Sequence, residues 1–301
     1  MEKNKKALKI GMIAMAITLT LSFAFLFYLK LDNPVFFENY CDYGIPYYEN
    51  SEGEFHQQDF MFTLQYVTNA TDQRVVSNIT FPEAPMLNSY GSNSPNWSYN
   101  GFFPNGNESL GTTYGSYQVR TIYVTIMDNG EKPQDNLMLS KATVHYNNGD
   151  TQDIDLGMIN LYCRTNQENY LEGMSNSSSS DGSSSSSFKS KKDITLMKVD
   201  SPLLKYIDKQ IDLKVNDVNY SEIPGLELNS GNFIDVKASF EMPKHVSQIY
   251  NTYRVIPILY YQDHEGKVYI QRIFNIDYIP LYTNPYSFIG LIKFLKDKGE
   301  L

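Results

Sequence analysis

Cysteine and the sequence motifs of catalysis are scarce in this chain of 301 residues. The only cysteines, Cys41 and Cys163, stand in no C-x-x-C or Cys/His spacing, which excludes a zinc site of the usual kind. There is no G-x-S-x-G elbow, H-E-x-x-H helix, phosphate-binding P-loop or G-x-G-x-x-G turn, and the four histidines are dispersed. We therefore expect a protein that has no cofactor and is not an enzyme.

Positive charge is limited as well. Lys and Arg number 25 against 34 Asp and Glu, which gives a net charge of −9, and the lysines are scattered or terminal. Proteins that bind nucleic acid neutralise its phosphates with a basic face, so nucleic acid is excluded as a partner. The hydrophobic share of 42% and the 24 tyrosines instead indicate folded, β-rich domains.

The N-terminus carries the strongest signal. Residues 10–29 form a run of twenty without charge or proline, long enough as a helix to cross the roughly 30 Å hydrocarbon layer of a bilayer. Four lysines precede the run, whereas Lys30 beyond it is balanced by Asp32 and Glu38. The positive-inside rule then predicts a single-pass protein of the cell membrane, with a cytoplasmic N-terminus and the remainder outside.

A cleaved signal peptide is the alternative to an anchor. Ser22 and Ala24 offer small residues at the spacing that a signal peptidase reads. Cleavage after Ala24 would leave residues 25–29, an apolar stretch, at the start of the mature chain. This favours the uncleaved anchor, and both interpretations place the protein outside the cytoplasm.

Beyond the anchor, alternating apolar and polar residues are separated by turn signals, of which Asn147-Asn148-Gly149 is the clearest. The pattern predicts an all-β ectodomain of two immunoglobulin-like β-sandwich domains in tandem, with an N-terminal transmembrane helix and a short C-terminal helix. The predicted segments are a tip and anchor (1–31), a juxtamembrane stalk (32–55), a first sandwich (56–172), a Ser-rich linker (173–191) and a second sandwich with the helix (192–301).

The Ser-rich linker centres on residues 175–188, which carry almost no side chain able to build a core. Serine and glycine are typical of a flexible joint between domains. The alternative is a long loop within one larger sandwich, because such insertions cost little conformational entropy.

The C-terminal helix is predicted from Asn284 and Pro285, a cap and a first-turn proline, followed by apolar residues at helical spacing. We expect this helix to pack on the second sandwich. A basic amphipathic helix lying on a membrane surface is the alternative.

Residues 86–115 form a long irregular stretch rich in Asn, Ser, Gly and aromatic residues. Rigid aromatic side chains among small polar ones are typical of adaptable binding loops. We predict a recognition surface for a protein or for a cell-surface glycan, unless the aromatic side chains fold back on the sandwich. Its residues are Tyr90, Trp97, Tyr99, Phe102, Phe103 and Tyr114.

Two further candidates concern ions and redox chemistry. Asp150, Asp153 and Asp155 form the nearest approach to an oxygen-rich calcium site, although their spacing matches no EF-hand loop. Cys41 and Cys163 would both face an oxidising compartment, so they form either a disulfide or two separately buried thiols.

These patterns together predict a membrane-anchored extracellular protein that acts by binding or by assembly. Its partner, a protein or a cell-surface glycan, is not identified by the residues. An exported hydrolase or sortase-like enzyme is one alternative, since triads can assemble from distant residues. The other is an accessory subunit of a membrane complex, recruited through its transmembrane helix.

Overall fold

The computed structural model describes residues 2–49, 55–93, 111–128, 136–164, 169–179, 182–280 and 285–301. About half of them lie in strands, and the prediction of an all-β body with a helix at each end is confirmed. The described α-helices are α1 (Glu2–Tyr28), α2 (Leu204–Ile207) and α3 (Phe288–Lys298). The strands are β1 (Val35–Phe36), β2 (Asn39–Glu49), β3 (Phe55–Gln57), β4 (Phe60–Asn69), β5 (Val76–Thr80), β6 (Ser89–Ser92), β7 (Thr112–Tyr114), β8 (Tyr117–Ile126), β9 (Leu137–Tyr146), β10 (Thr151–Arg164), β11 (Leu171–Ser178), β12 (Ser184–Ser190), β13 (Ile194–Asp200), β14 (Ile211–Val215), β15 (Val218–Asn219), β16 (Leu226–Leu228), β17 (Phe233–Phe240), β18 (Thr252–Val255), β19 (Ile258–Asp263), β20 (Val268–Arg272) and β21 (Ile276–Tyr278).

Two facing sheets enclose the core of the N-terminal half. One has the strand order β1-β4-β8-β6, with β7 also paired to β8. The other contains β5, β9, β10 and β2 in that order. On β4 the alternation predicted from the sequence is confirmed, because Phe62, Leu64 and Tyr66 are all buried in this core. Apolar side chains from both sheets meet there, as expected for sheets that pack face to face.

The turn between β9 and β10 also follows the sequence. Gly149 has a φ of +90°, a conformation that costs glycine little and other residues more. The amide of Gly149 donates to the carbonyl of Tyr146, and the amide of Tyr146 donates to the carbonyl of Asp150. The Asn-Gly pair therefore fixes the register of the hairpin, in which His145 lies opposite Thr151.

The predicted stalk is wrong, because its residues form β2, a strand inside the second of these sheets. β2 runs parallel to β10 on one side and parallel to β18 on the other. Cys41, Asp42 and Ile45 on this strand are almost completely buried. Gly44 and Pro46 interrupt the apolar–polar alternation by which a strand is recognised in a sequence. The burial of β2 also depends on β10 and β18, which lie far along the chain.

The sheet that holds β2 joins the two halves of the chain. Its full order is β21-β18-β2-β10-β9-β5, so strands from the C-terminal region continue a sheet that begins in the N-terminal region. A second apolar cluster includes side chains of β18 and β21. It also includes side chains of two further sheets, with the strand orders β11-β12-β17-β14-β15 and β16-β13-β19-β20. Tyr40 of β2 stacks on Tyr253 of β18 with ring centroids 5.3 Å apart. The division into two domains stays a prediction, and one continuous sheet crosses its boundary.

The Ser-rich segment is a β-hairpin rather than a linker. β11 and β12 pair along their length, and β12 also pairs with β17. Three serines of β12, Ser184, Ser186 and Ser190, are at least 95% buried. The hydroxyl of Ser184 donates to the carbonyl of Asn275 at 2.9 Å. Small hydroxyl side chains with such acceptors can be buried, which composition alone does not reveal.

The C-terminal helix packs on the body, but not on the predicted second sandwich alone, because its cluster also contains Val67, Tyr117 and Val119. It also begins later than predicted. Ser287 is the N-cap, and its hydroxyl accepts the amide of Gly290. Asn284 lies outside the described residues, and Pro285 precedes the helix. One face of α3 is buried through Leu291, Phe294 and Leu295 in a cluster with Phe37, Tyr250 and Tyr286.

Asp42 is an almost completely buried carboxylate, with only 1% of its surface exposed. Its carboxylate accepts the side-chain amide of Asn160 at 2.7 Å, the hydroxyl of Ser201 at 3.2 Å and the backbone amide of Ile256 at 2.8 Å. Burial raises the pKa of Asp42 above its ordinary value, although the three donors and Arg272 oppose the increase.

This pKa makes stability depend on pH in a defined direction. Above about pH 3.8 the unfolded chain releases a proton that folded Asp42 retains, so the wild type loses stability as pH rises towards the folded pKa. Asp42→Asn has no such proton. We expect the free energy of unfolding of the variant, relative to wild type, to increase with pH by up to about 1.4 kcal/mol per pH unit in this window.

Urea unfolding of the detergent-solubilised proteins between pH 4 and pH 7 measures this difference. Asp153→Asn, at an exposed carboxylate of β10, is the matched control. A difference between Asp42→Asn and wild type that does not change with pH contradicts the prediction.

A proline in β12 tests the hairpin. Ser186 lies opposite Asn176 on one side and Val236 on the other, so Ser186→Pro removes a ladder amide from an interior strand. We expect a loss of about 3 kcal/mol, which lowers Tm by about 6–10 °C in a protein of this size. Ser186→Ala, which keeps the amide, should cost less than about 1 kcal/mol. Equal Tm values for Ser186→Pro and wild type would restore the linker interpretation.

Candidate functional site

A cleft of about 540 Å³ opens where the two halves of the chain meet. It is bordered by the C-terminal end of β10, by β11, by β20 and by the start of β21. β11, β20 and β21 are each the last strand of their sheet, so three sheet edges converge on the cleft. Its volume falls within the range of small-ligand and peptide-side-chain sites.

An arginine and a tyrosine form one wall of the cleft. The guanidinium of Arg272 lies 3.5 Å from the ring centroid of Tyr162, a close cation–π contact. The Nη1 atom of Arg272 is buried and has no hydrogen-bond partner among the described residues. Part of the hydrogen-bonding capacity of this side chain is therefore unused.

Arg164 lies beside the same tyrosine. Tyr162 and Arg164 are two residues apart on β10, so their side chains point to the same face of the sheet. Both lie across Gly44 of β2, where an added Cβ would stand 2.8 Å from Arg164 Nε and 2.8 Å from Tyr162 Oη. The absence of a side chain at Gly44 thus lets the two residues pack side by side over β2.

Three other polar side chains of the cleft have hydrogen-bond partners. The side-chain amide of Asn169 donates to Gln271 Oε1 at 2.8 Å, and Gln271 Nε2 donates to the carbonyl of Arg272 at 2.6 Å. Asp277 accepts from Arg254 Nε at 2.9 Å. Although burial opposes the charge of Arg254, this ion pair raises its pKa above the ordinary value.

Counting the described residues alone, these contacts leave the cleft positive in a protein whose net charge is −9. Asp277 is neutralised by Arg254, and neither Arg164 nor Arg272 forms an ion pair with a carboxylate of the described residues. The charge of Asp42 acts on Arg272 from beyond salt-bridge distance. A cleft lined by charge of one sign attracts ligands of the opposite sign, so this arrangement can bind an anionic group.

Sequence reasoning missed this cleft. The sequence feature that could have indicated the cleft is the small number of arginines, five in the whole chain. Three of them, Arg164, Arg254 and Arg272, lie in or next to the cleft. None stands in a motif, and their proximity follows from strand order rather than from spacing in the sequence.

Most of the predicted aromatic recognition loop lies outside the described residues, including Trp97, Tyr99, Phe102 and Phe103. Tyr90 on β6 and Tyr114 on β7 lie opposite Thr125 and Tyr117 of β8. Eight residues of strand separate these two positions, a distance of about 27 Å. The ring of Tyr114 packs against Tyr286, with centroids 6.0 Å apart. The recognition loop stays a prediction.

The calcium candidate gains no support. Asp153 and Asp155 are exposed on β10, and Asp153 accepts the hydroxyl of Thr143 at 2.7 Å. Asp150 lies in the turn and accepts the side-chain amide of Asn148. Within the described ranges, no group of three or more His, Cys, Asp or Glu residues is placed to hold a metal ion.

The candidate disulfide is wrong. Cys41 lies opposite Ile159 in the parallel pair of β2 and β10, whereas Cys163 lies opposite Ile45. The two cysteines are therefore four residues apart along neighbouring strands, about 13 Å, which exceeds the 7 Å limit for a disulfide between Cα atoms. Both are buried and neither forms a disulfide.

Comparisons with known proteins identify no family. No family model matches the chain, and no curated protein matches it. Among solved structures, the D00-D0 domain of intimin has 7% identity and a TM-score of 0.21, with 74% of this chain and 93% of that chain covered. A protein of unknown function from Porphyromonas gingivalis W83 has 10% identity and a TM-score of 0.22, with 78% and 96% covered. The CupB2 chaperone of Pseudomonas aeruginosa has 6% identity and a TM-score of 0.16, with 71% and 91% covered. TM-scores this low do not establish a shared fold.

The thiols provide a test of the structure around β2. Burial raises the pKa of Cys41 to about 12, so its reactive thiolate is almost absent at pH 8. We expect Cys41 in a Cys163→Ser variant to remain unmodified by a thiol reagent in the native state. After unfolding in urea without reductant, the wild type should release two reactive thiols and the variant one. Absence of reactive thiols in the unfolded wild type would restore the disulfide.

Proposed function

We propose that this protein is a membrane-anchored binding or assembly protein whose β body is displayed outside the cell. The observation that carries the proposal is the direct attachment of the body to α1. Within this helix, residues 8–25 form a stretch long and apolar enough to cross a membrane. Leu29 and Leu31, immediately beyond it, are each only 2% exposed within the body.

The junction between α1 and the body is held by hydrogen bonds in addition to apolar contacts. The hydroxyl of Tyr117 donates to the carbonyl of Leu29 at 2.7 Å. The side chain of Asn69 accepts the amide of Leu31 at 3.0 Å and donates to its carbonyl at 2.7 Å. Leu29 and Leu31 also belong to the apolar cluster that includes α3. The body therefore follows the helix without a flexible stalk, as suits a protein that presents a surface to a partner in a defined orientation.

The extracellular placement of the body rests on charge. Four lysines directly precede the apolar run 10–29, whereas Lys30 beyond it is balanced by Asp32 and Glu38, and the positive-inside rule assigns the lysine-rich flank to the cytoplasmic side. The finer architecture that we propose for the body is a pair of immunoglobulin-like sandwiches joined by the shared sheet. A body of this kind offers rigid faces and edges for binding.

Cysteine labelling in intact cells tests the anchor and its orientation. Glu265→Cys lies in the exposed turn between β19 and β20, and Lys5→Cys lies near the N-terminus. We expect a membrane-impermeant maleimide to label Glu265→Cys in intact cells and Lys5→Cys only after permeabilisation. Wild type, whose cysteines are buried, is the unlabelled control.

The opposite labelling pattern would contradict the proposed orientation. Release of a shortened chain into the medium would identify a cleaved signal instead of an anchor. In either case the proposal of a membrane-anchored extracellular protein would fail.

A further inference from the structure

We propose that the cleft binds an extended acidic peptide segment, which pairs with the open edge of β11 and places a carboxylate beside Arg164 and Arg272. The inference rests on the proposed binding function and names the chemical class of the partner. Two independent features support it, both judged on the described residues: two arginines without a carboxylate partner, and a strand edge without a neighbouring strand, which border the same cleft.

The arginines define the charged end of the ligand. Arg272 is held by stacking on Tyr162, and both Tyr162 and Arg164 lie over Gly44. A guanidinium presents paired N–H donors that match the two oxygens of a carboxylate. Since no described carboxylate forms an ion pair with either arginine, a ligand carboxylate would not have to displace one.

The edge of β11 defines the extended part of the ligand. Among the strands that the structure describes, β11 pairs only with β12, and its residues from Glu172 to Ser178 are exposed. Natural edge strands are commonly protected from pairing by charged side chains or proline, and the part of β11 from Gly173 to Ser178 contains neither. An exposed edge of this kind is the feature that accepts a peptide strand through main-chain hydrogen bonds.

The hydrogen-bond pattern shows which backbone groups face outward. The amide of Ser179 donates to the carbonyl of Ser183, on the side of β12. Because backbone direction alternates along an antiparallel strand, the amides of Ser178 and Asn176 point to the open edge. The side chains of these two residues line the cleft. A peptide strand on this edge would therefore run along the mouth of the cleft and past the arginines.

Peptide binding to the full-length protein in detergent micelles tests the proposal. The probes are two fluorescein-labelled peptides of alternating valine and threonine that end in glutamate or in glutamine, both amidated at the C-terminus. We expect the glutamate peptide to bind about tenfold more tightly, the ratio that one charge-assisted contact provides. Arg164→Gln, at an exposed side chain, should make the two peptides bind equally.

A matched pair of variants at Asn176 tests the strand edge. Asn176→Pro removes an outward amide while leaving the pairing with β12, and it should weaken both peptides about tenfold or more. Asn176→Ala keeps the amide and should bind within about twofold of wild type. Tm values of all variants show whether each protein remains folded.

Several outcomes would overturn the inference. Equal affinity of wild type for the two peptides, or no binding of either peptide, would contradict the inference that the cleft binds an acidic peptide. Unchanged affinity in Asn176→Pro, together with displacement of the peptide by inorganic phosphate, identifies a simple anion site and rejects strand addition. Because the assay needs neither a membrane nor an orientation, its result is independent of the labelling experiment on the proposed function.

Discussion

The structure depends on the burial of one carboxylate. Moving a carboxylate out of water costs several kcal/mol unless donors replace its hydration. The donors to Asp42 come from Asn160, Ser201 and Ile256, which lie 118, 159 and 214 residues further along the chain. No local segment can supply them, so the requirement is met only when both halves of the chain have closed around β2. A group that is costly to bury thereby specifies which distant segments must meet.

The same strand connects the anchor to the rest of the body. Phe37, just before β2, contacts Tyr250, Tyr286 and Phe294 in the cluster that also holds Leu29 and Leu31. Glu38 forms an ion pair with Lys298 at the end of α3. Beyond this point β2 enters the sheet that both halves share. Because β2 packs against both the helix junction and the cleft, displacement of β2 would disturb the two together.

Local patterns predicted the parts of the fold that depend on local interactions. The alternation of β4 and the Asn-Gly turn at Gly149 are readable because neighbouring residues determine them. β2 was not predicted, since Gly44 and Pro46 interrupt its pattern and its strand pairing is wholly non-local. The hairpin of β11 and β12 was missed because buried serines such as Ser184 are stable only beside a carbonyl acceptor, here that of Asn275. The cleft was missed because strand order, not spacing in the sequence, brings its arginines together.

The direction of β2 relates the cleft to the anchor. Asn39 begins the strand next to the cluster that holds the end of α1, and Pro46 lies opposite Arg164 at the cleft. Seven residues of parallel strand separate the two positions, about 23 Å. The end of α1 therefore joins the body near one end of β2, and the cleft lies near the other end. Because β2 is fixed between β10 and β18, this strand holds the cleft at a set distance from the end of α1.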